Sequence, residues 1–208
     1  MSSDDQTQAQ RLHEGDSAPY LSIAAPAYNE AEVIQKVVLY WGECLERMDL
    51  SGEIVLCNDG STDGTKEILA SLQEELPCLR VVGSEENHGY GAALATAIAA
   101  CKGNYIATID SDGQFDLMDI KNFLVEIEKE GVDGVVGYRV AKQDSPARVL
   151  ADRCLNGIAR ALFGTRLRDT NCAKTGTKRS VAETAARGHR LCISDRRCAC
   201  ALKNTERN

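Results

Sequence analysis

The chain has 208 residues, 43% of them hydrophobic and 26% charged, with a formal net charge of −7 and nine cysteines. That length allows one α/β domain with a sizeable core, or one domain and a tail, and the composition excludes a fibrous repeat and wholesale disorder. Net acidity argues against nucleic acid as a partner, and no apolar run approaches the ~18 residues that cross a bilayer. The charge is uneven. Residues 1–165 hold 13 Lys and Arg against 27 Asp and Glu, a net of −14, whereas residues 166–208 hold 11 against 4, a net of +7.

The first 18 residues are acidic and polar with no apolar h-region, and read as a disordered leader, not a signal peptide. Short apolar runs then alternate with helical periods. Strands are predicted at Leu21–Ala25, Glu53–Cys57, Leu79–Gly83, Tyr105–Asp110 and Gly134–Arg139. Helices are predicted over residues 30–47, 66–76 (ended by Pro77), 92–101 and 117–130. Such an alternation implies a mostly parallel sheet covered by helices on both faces, a three-layer α/β/α sandwich. Nine cysteines is an odd count, no CxxC pair occurs, and Cys44, Cys57, Cys101 and Cys154 fall in apolar or helical stretches. Reduced thiols and a cytoplasmic location are expected.

In a parallel sheet, ligands bind beyond the carboxyl ends of the strands. The loops there read PAYNE, NDGSTDGT, ENHGYG and DSDGQ, all rich in Asp, Asn, Glu and Gly. In DSDGQ, Asp110 and Asp112 with the carboxamide of Gln114 make an oxygen-rich set suited to Mg²⁺ or Mn²⁺; an acidic turn with Asp112 or Asp116 capping the next helix is the other reading. In NDGSTDGT, Asp63 or Thr62 suits a helix cap, which leaves Asp59 without such a role. In PAYNE, Pro26 sets the strand exit, Tyr28 can stack on a planar ring and Glu30 can accept from ring N–H groups; alternatively, Asn29 caps the following helix. ENHGYG offers a weak phosphate-cradling turn.

Taken in order and spacing, PAYNE, NDGSTDGT, NxGxGAAL and DSDGQ resemble the family 2 glycosyltransferases of GT-A fold. The likeness is greatest to the dolichol-phosphate mannose synthase group and its bacterial polyprenyl-phosphate relatives. It runs from about Tyr20 to Asn171 and includes GYR at Gly137 to Arg139 and the stretch LFGTRLRDTNC. The resemblance implies a Rossmann-like GT-A domain that binds a nucleotide-diphosphate sugar. The base would lie near Pro26, Tyr28 and Glu30, and Asp59 would contact the nucleoside. Asp110, Asp112 and Gln114 would hold Mg²⁺ or Mn²⁺ against the diphosphate, Arg139 would sit near the acceptor or sugar phosphate, and Asp169 would fall in the acceptor-side motif.

Transfer would then invert the anomeric carbon. A lipid-phosphate acceptor needs little general base, and Arg139, Arg148 and Arg153 would position it; a hydroxyl acceptor would need Asp169 as base. Residues 147–163 have an apolar helical face beside Arg148, Arg153 and Arg160. This suits either a helix lying on a membrane surface, placing the protein on the cytoplasmic face, or an ordinary packing helix.

Residues 172–208 depart from the family pattern and carry no sustained strand or helix period. They read as an atypical basic tail, with the C-terminal part of the fold expected to be incomplete. His189, Cys192, Cys198 and Cys200 could make a metal-binding appendage, and the basic residues an arm for anionic membrane. A non-catalytic nucleotide-sugar binder with a truncated acceptor site is the alternative function.

Overall fold

The computed structural model describes residues 18–129, 134–139, 174–177 and 198–204. Along the chain come β1 (Leu21–Ala27), α1 (Ile34–Met48), β2 (Gly52–Asp59), α2 (Thr65–Glu75), β3 (Leu79–Ser84), α3 (Tyr90–Ala100) and β4 (Tyr105–Thr108). A 3₁₀ turn (Leu117–Asp119), α4 (Ile120–Ile127), β5 (Gly134–Arg139), β6 (Lys174–Thr177) and β7 (Cys198–Asn204) complete the described elements. They form one seven-stranded sheet in the order β3-β2-β1-β4-β6-β5-β7. β1, β2, β3 and β4 are parallel; β6 runs antiparallel to both β4 and β5, and β7 is parallel to β5.

Strand alternation sorts the core into two layers. Leu21, Ile23, Ala25 and Ala27 of β1 and Ile54 and Leu56 of β2 meet Trp41, Leu45, Leu69, Leu72 and Phe123 from α1, α2 and α4. Ala24, Val55, Cys57 and Ile106 meet Ala93, Ala97 and Ile98 of α3 on the other face. The fold is therefore the three-layer α/β/α sandwich expected from the strand–helix alternation. Cys44, Cys57 and Cys101 are buried and Cys78 partly so, all as free thiols.

Local differences from the sequence reading have local causes. Helix α1 starts at Ile34, not near residue 30, because Asn29 adopts φ 55° and its side chain is engaged elsewhere. Strand β4 ends at Thr108, although the Ile109 amide still bonds the Ala24 carbonyl at 3.2 Å. Asp116 caps the 3₁₀ turn by accepting the Met118 amide at 3.0 Å and also takes the Tyr40 hydroxyl at 2.6 Å. β6 and β7 lie in the segment where periodicity marks no element. Four residues are too few to show a period, and Lys174–Thr177 is a strand because β4 and β5 supply partners on both sides.

At the amino-terminal edge of the sheet a polar cluster ties three strands together. Glu53, 9% exposed, accepts the Ser22 hydroxyl at 2.6 Å, the Lys102 amide and the Arg80 guanidinium at 2.8 Å. Ser22 in turn accepts the Gly103 amide at 2.8 Å. Burial would raise the Glu53 pKa, but the hydrogen bonds from Ser22, Lys102 and Arg80 and the Arg80 charge outweigh it, holding the carboxyl below its ordinary 4.5. A lowered carboxyl pKa stabilises the fold above the unfolded-state value, and that contribution is lost as pH falls through the folded value. Glu53→Gln is therefore expected to cost about 2 kcal/mol at neutral pH. In urea titrations the gap from wild type should narrow as pH drops below 4.5.

Candidate active site

The strand order reverses at β1, with β2 on one side and β4 on the other, which makes the carboxyl edge between them the place where such sheets hold ligands. Four loops leave the sheet at this edge, after β1, β2, β3 and β4, and hydrogen bonds join them in a closed ring. The first loop is laced to the second. Asn29 Oδ1 accepts the Thr62 amide at 2.8 Å, and the Asn29 amide donates to Ser61 Oγ at 3.1 Å. Asp63 Oδ2 accepts the Ala31 amide at 3.1 Å, while its Oδ1 accepts the Thr65 amide at 3.0 Å and hydroxyl at 2.5 Å. Thr65 Oγ1 itself accepts the Glu30 amide at 2.8 Å. Led by the Thr65 hydroxyl, these donors hold the Asp63 carboxyl below its usual range.

The second loop is tied to the third by Asp59, which is 4% exposed. Its Oδ1 accepts the His88 amide at 2.9 Å and its Oδ2 the Gly89 amide at 2.8 Å. Gly60 follows at φ 66°, and a Cβ there would lie 2.6 Å from the Glu86 carbonyl carbon and 2.7 Å from the Asn87 nitrogen, so glycine is what lets the third loop approach this closely. The third loop meets the fourth through Tyr90, whose hydroxyl donates to Asp110 Oδ1 at 2.7 Å. The ring closes on the end of β1, just before the first loop, where the buried Ser111 hydroxyl donates to the Pro26 carbonyl at 2.8 Å.

Several residues expected to act alone turn out to be parts of this ring. Asn29 does not cap α1, whose N-cap is Val33 with no side-chain bond; its amide oxygen is spent on Thr62. Neither Thr62 nor Asp63 is the N-cap of α2, because Gly64 is, and Asp63 faces back to the first loop as well as to Thr65. The His88 and Gly89 amides that a phosphate-cradling turn would offer are taken by Asp59. Tyr90 and Ser111 carry no role in the sequence reading. A signal for Tyr90 existed: it opens α3, whose apolar face meets the alternate positions of β2 and β4 that lead to Asp59 and Asp110.

The structure gathers most of the predicted site residues at this edge. Pro26 is the penultimate residue of β1, Tyr28 just after the strand is 46% exposed, and Glu30 is half-buried. Asp110, Asp112 and Gln114 are exposed, and the Gln114 amide donates to Asp112 Oδ1 at 2.9 Å. Burial first, then the charges of Asp112 and Asp63, push the Glu30 carboxyl above its usual range. A cavity of 340 Å³ adjoins the fourth loop, walled by Val37, Tyr40, Trp41 and Phe115 with Asp112 at its margin. Arg139 is the last residue of β5, which points the same way as β4 and ends at the same edge. Arg148, Arg153, Arg160 and Asp169, the 147–163 helix, the leader, and His189 and Cys192 lie outside the described residues.

Among the described residues no three His, Cys, Asp or Glu side chains converge as a closed metal cage. Asp110 and Asp112 each have Oδ1 engaged by one hydrogen bond. This donor set fits Mg²⁺ or Mn²⁺, which take one or two carboxylates and fill the remaining positions with water and phosphate oxygens, and does not fit a structural zinc.

The sheet order and the acidic loop edge define a GT-A glycosyltransferase fold. Solved structures agree: a Pyrobaculum calidifontis mannosyltransferase in complex with GDP-Man and Mn²⁺ superposes with TM-score 0.61 at 20% identity, over 94% of this chain and 60% of that one. Glucosyl-3-phosphoglycerate synthase from Mycobacterium tuberculosis, in complex with phosphoglyceric acid, superposes with TM-score 0.63 at 19% identity, over 97% of this chain and 76% of that one. Residues 22–183 match the profile of Glycosyl transferase family 2, and the chain belongs to that family.

Among curated relatives, dodecaprenyl-phosphate galacturonate synthase of Rhizobium johnstonii is 30% identical over 155 residues, 74% of this chain and 46% of the relative. Undecaprenyl-phosphate 4-deoxy-4-formamido-L-arabinose transferase of Edwardsiella ictaluri is 31% identical over 172 residues, 82% of this chain and 52% of the relative. The chain thus spans about half the length of these relatives. The family match continues through β6, past the Asn171 at which the sequence resemblance stops.

If Gly60 is what admits the third loop, Gly60→Ala should destabilise the fold by at least about 2 kcal/mol in urea or thermal melts. A change under about 0.5 kcal/mol would mean the loop is not held against β2.

Proposed function

We propose that this chain transfers a sugar from a UDP- or GDP-sugar, with inversion, to a polyprenyl or dolichyl phosphate. The observation that carries the proposal is the ring of acidic loops at the switch point of the sheet, with the Asp110 and Asp112 carboxylates exposed on it. Family membership and the polyprenyl-phosphate relatives support it, as does the nucleotide-sugar and Mn²⁺ complex of a protein sharing the fold.

In this reading Pro26, Tyr28 and Glu30 receive the base, with the exposed Tyr28 ring available for stacking. Asp59 fixes the nucleoside side of the edge. Asp110 and Asp112, assisted by Gln114, hold Mg²⁺ or Mn²⁺. Such an ion supplies Lewis-acid stabilisation of the charge that builds on the departing nucleoside diphosphate. Arg139 and Arg153 orient the acceptor phosphate, whose oxygen is anionic at neutral pH and attacks the anomeric carbon from the face opposite the leaving group. Asp169 serves as base if the acceptor is instead a hydroxyl. The protein works at the cytoplasmic face of a membrane, where the acceptor lipid resides; among the described residues no helix is long and apolar enough to cross one.

Isothermal titration with UDP and GDP is expected to show binding that requires Mn²⁺ and is lost in an Asp110→Ala, Asp112→Ala variant. Radiolabelled sugar transfer to polyprenyl phosphate should fall by about 100-fold or more in that variant. Metal-dependent binding that survives the double substitution would overturn the metal assignment. Binding by the wild-type chain with no transfer to any polyprenyl phosphate would favour the non-catalytic nucleotide-sugar binder.

A further inference from the structure

Two side chains flanking the third loop, the buried Asp59 and the exposed Tyr90, are engaged with protein groups before any substrate binds. Asp59 ends β2 with both carboxylate oxygens already accepting main-chain amides, those of His88 and Gly89. The same turn is tightened from within: Ser84 Oγ donates to the Glu86 carbonyl and accepts the Glu86 amide at 3.0 Å, and Asn87 Oδ1 accepts the Gly89 amide at 3.1 Å. Gly89, at φ 86°, is the N-cap of α3, so fixing its amide fixes where α3 begins and where its first residue points. That residue is Tyr90. Its ring is 59% exposed, yet its hydroxyl reaches the first carboxylate of the fourth loop, Asp110 Oδ1, at 2.7 Å.

Strand alternation explains why these groups meet. Val55 and Cys57 of β2 and Ile106 of β4 face α3. Continuing each alternation by two or four residues puts Asp59 and Asp110 on that same face, with the first turn of α3 between them. A carboxylate with an unrestrained χ1 and χ2 would present either oxygen; a phenol donating to Oδ1 selects one rotamer and leaves Oδ2, which has no hydrogen-bond partner among the described residues, for an incoming cation. Outer partners of this kind orient metal ligands and tune their affinity.

We propose that Tyr90 is a positioning residue for the cation site, fixing the Asp110 carboxylate, and that Asp59 acts at one remove by fixing the turn that carries Tyr90. The inference rests on the reading of Asp110 as a ligand to Mg²⁺ or Mn²⁺. It gives Asp59 a task that precedes any nucleotide: the edge that receives the nucleoside and the edge that receives the metal are set by one continuous chain of hydrogen bonds.

The test is Mn²⁺ binding to the full chain without nucleotide, followed by the loss of the free-ion EPR signal, so that a nucleoside contact of Asp59 does not register. Tyr90→Phe should weaken Mn²⁺ about tenfold with an unchanged thermal midpoint, because the ring is exposed and only the hydroxyl is removed. Asp59→Asn replaces one acceptor with a donor facing an amide N–H, and should weaken Mn²⁺ by a similar factor. The double variant should be little worse than either single one, since both act through the same bond. Tyr90→Phe binding Mn²⁺ within twofold of wild type, or more tightly, overturns the inference while leaving the proposed function standing. Failure of wild type to bind Mn²⁺ either alone or with UDP or GDP present overturns both.

Discussion

The ring of hydrogen bonds around the carboxyl edge of the sheet is the constraint on which the candidate site depends. Each loop alone is a short polar segment with several ways to turn. Joined through Asn29 and Asp63, Asp59, Tyr90 and Ser111, the four restrict one another, and no loop can move without breaking contacts to two neighbours. Ordering polar side chains costs conformational entropy. Here much of that cost is met on folding, so the edge is arranged before any ligand arrives, which is the condition for electrostatic preorganisation.

The ring also explains how far the sequence could be read. Alternating apolar runs and helical periods locate β1 to β5 and four helices, because each element buries a stripe against a known neighbour. The acidic loops are visible for the same reason, being the segments that cannot be core. What cannot be seen locally is which loop touches which. Asn29 and Asp63 look like caps because helix caps are the commonest use of such residues at such places. Asn29 is recruited across 33 residues and Asp63 across 32, the latter while still accepting the Thr65 amide, since β1 and β2 are adjacent and parallel and their loops emerge side by side. Tyr90 and Ser111 are hidden as ordinary residues inside glycine-rich and acidic turns. Their partners become predictable only when strand parity is carried beyond the last paired residue. β6 is invisible for a different reason, as a four-residue strand is made by its two neighbours and not by its own pattern.

The two ends of the sheet solve opposite electrostatic problems with the same residue types. At the amino edge, Glu53 is almost fully enclosed but faces the Arg80 guanidinium, a serine hydroxyl and a main-chain amide, so its charge is matched within the fold and its pKa falls. At the carboxyl edge, burial first and then the charges of Asp112 and Asp63 push the Glu30 carboxyl upward. The first arrangement stabilises the domain; the second works against it.

A fold that tolerates mutual repulsion at one edge while neutralising a buried acid at the other has separated stability from recognition. The carboxylates that the ring can satisfy internally, Asp59 and Asp63, are given amide and hydroxyl donors and become scaffold. Asp110 and Asp112 are each given a single donor and remain exposed. Two carboxylates held in place but only half satisfied have charge left for a cation, and that cation would relieve the repulsion felt by Glu30. The residual negative charge of the edge is thus concentrated where a divalent ion would gain most from it, between the fourth loop, which carries Asp110, and the first, which carries Glu30.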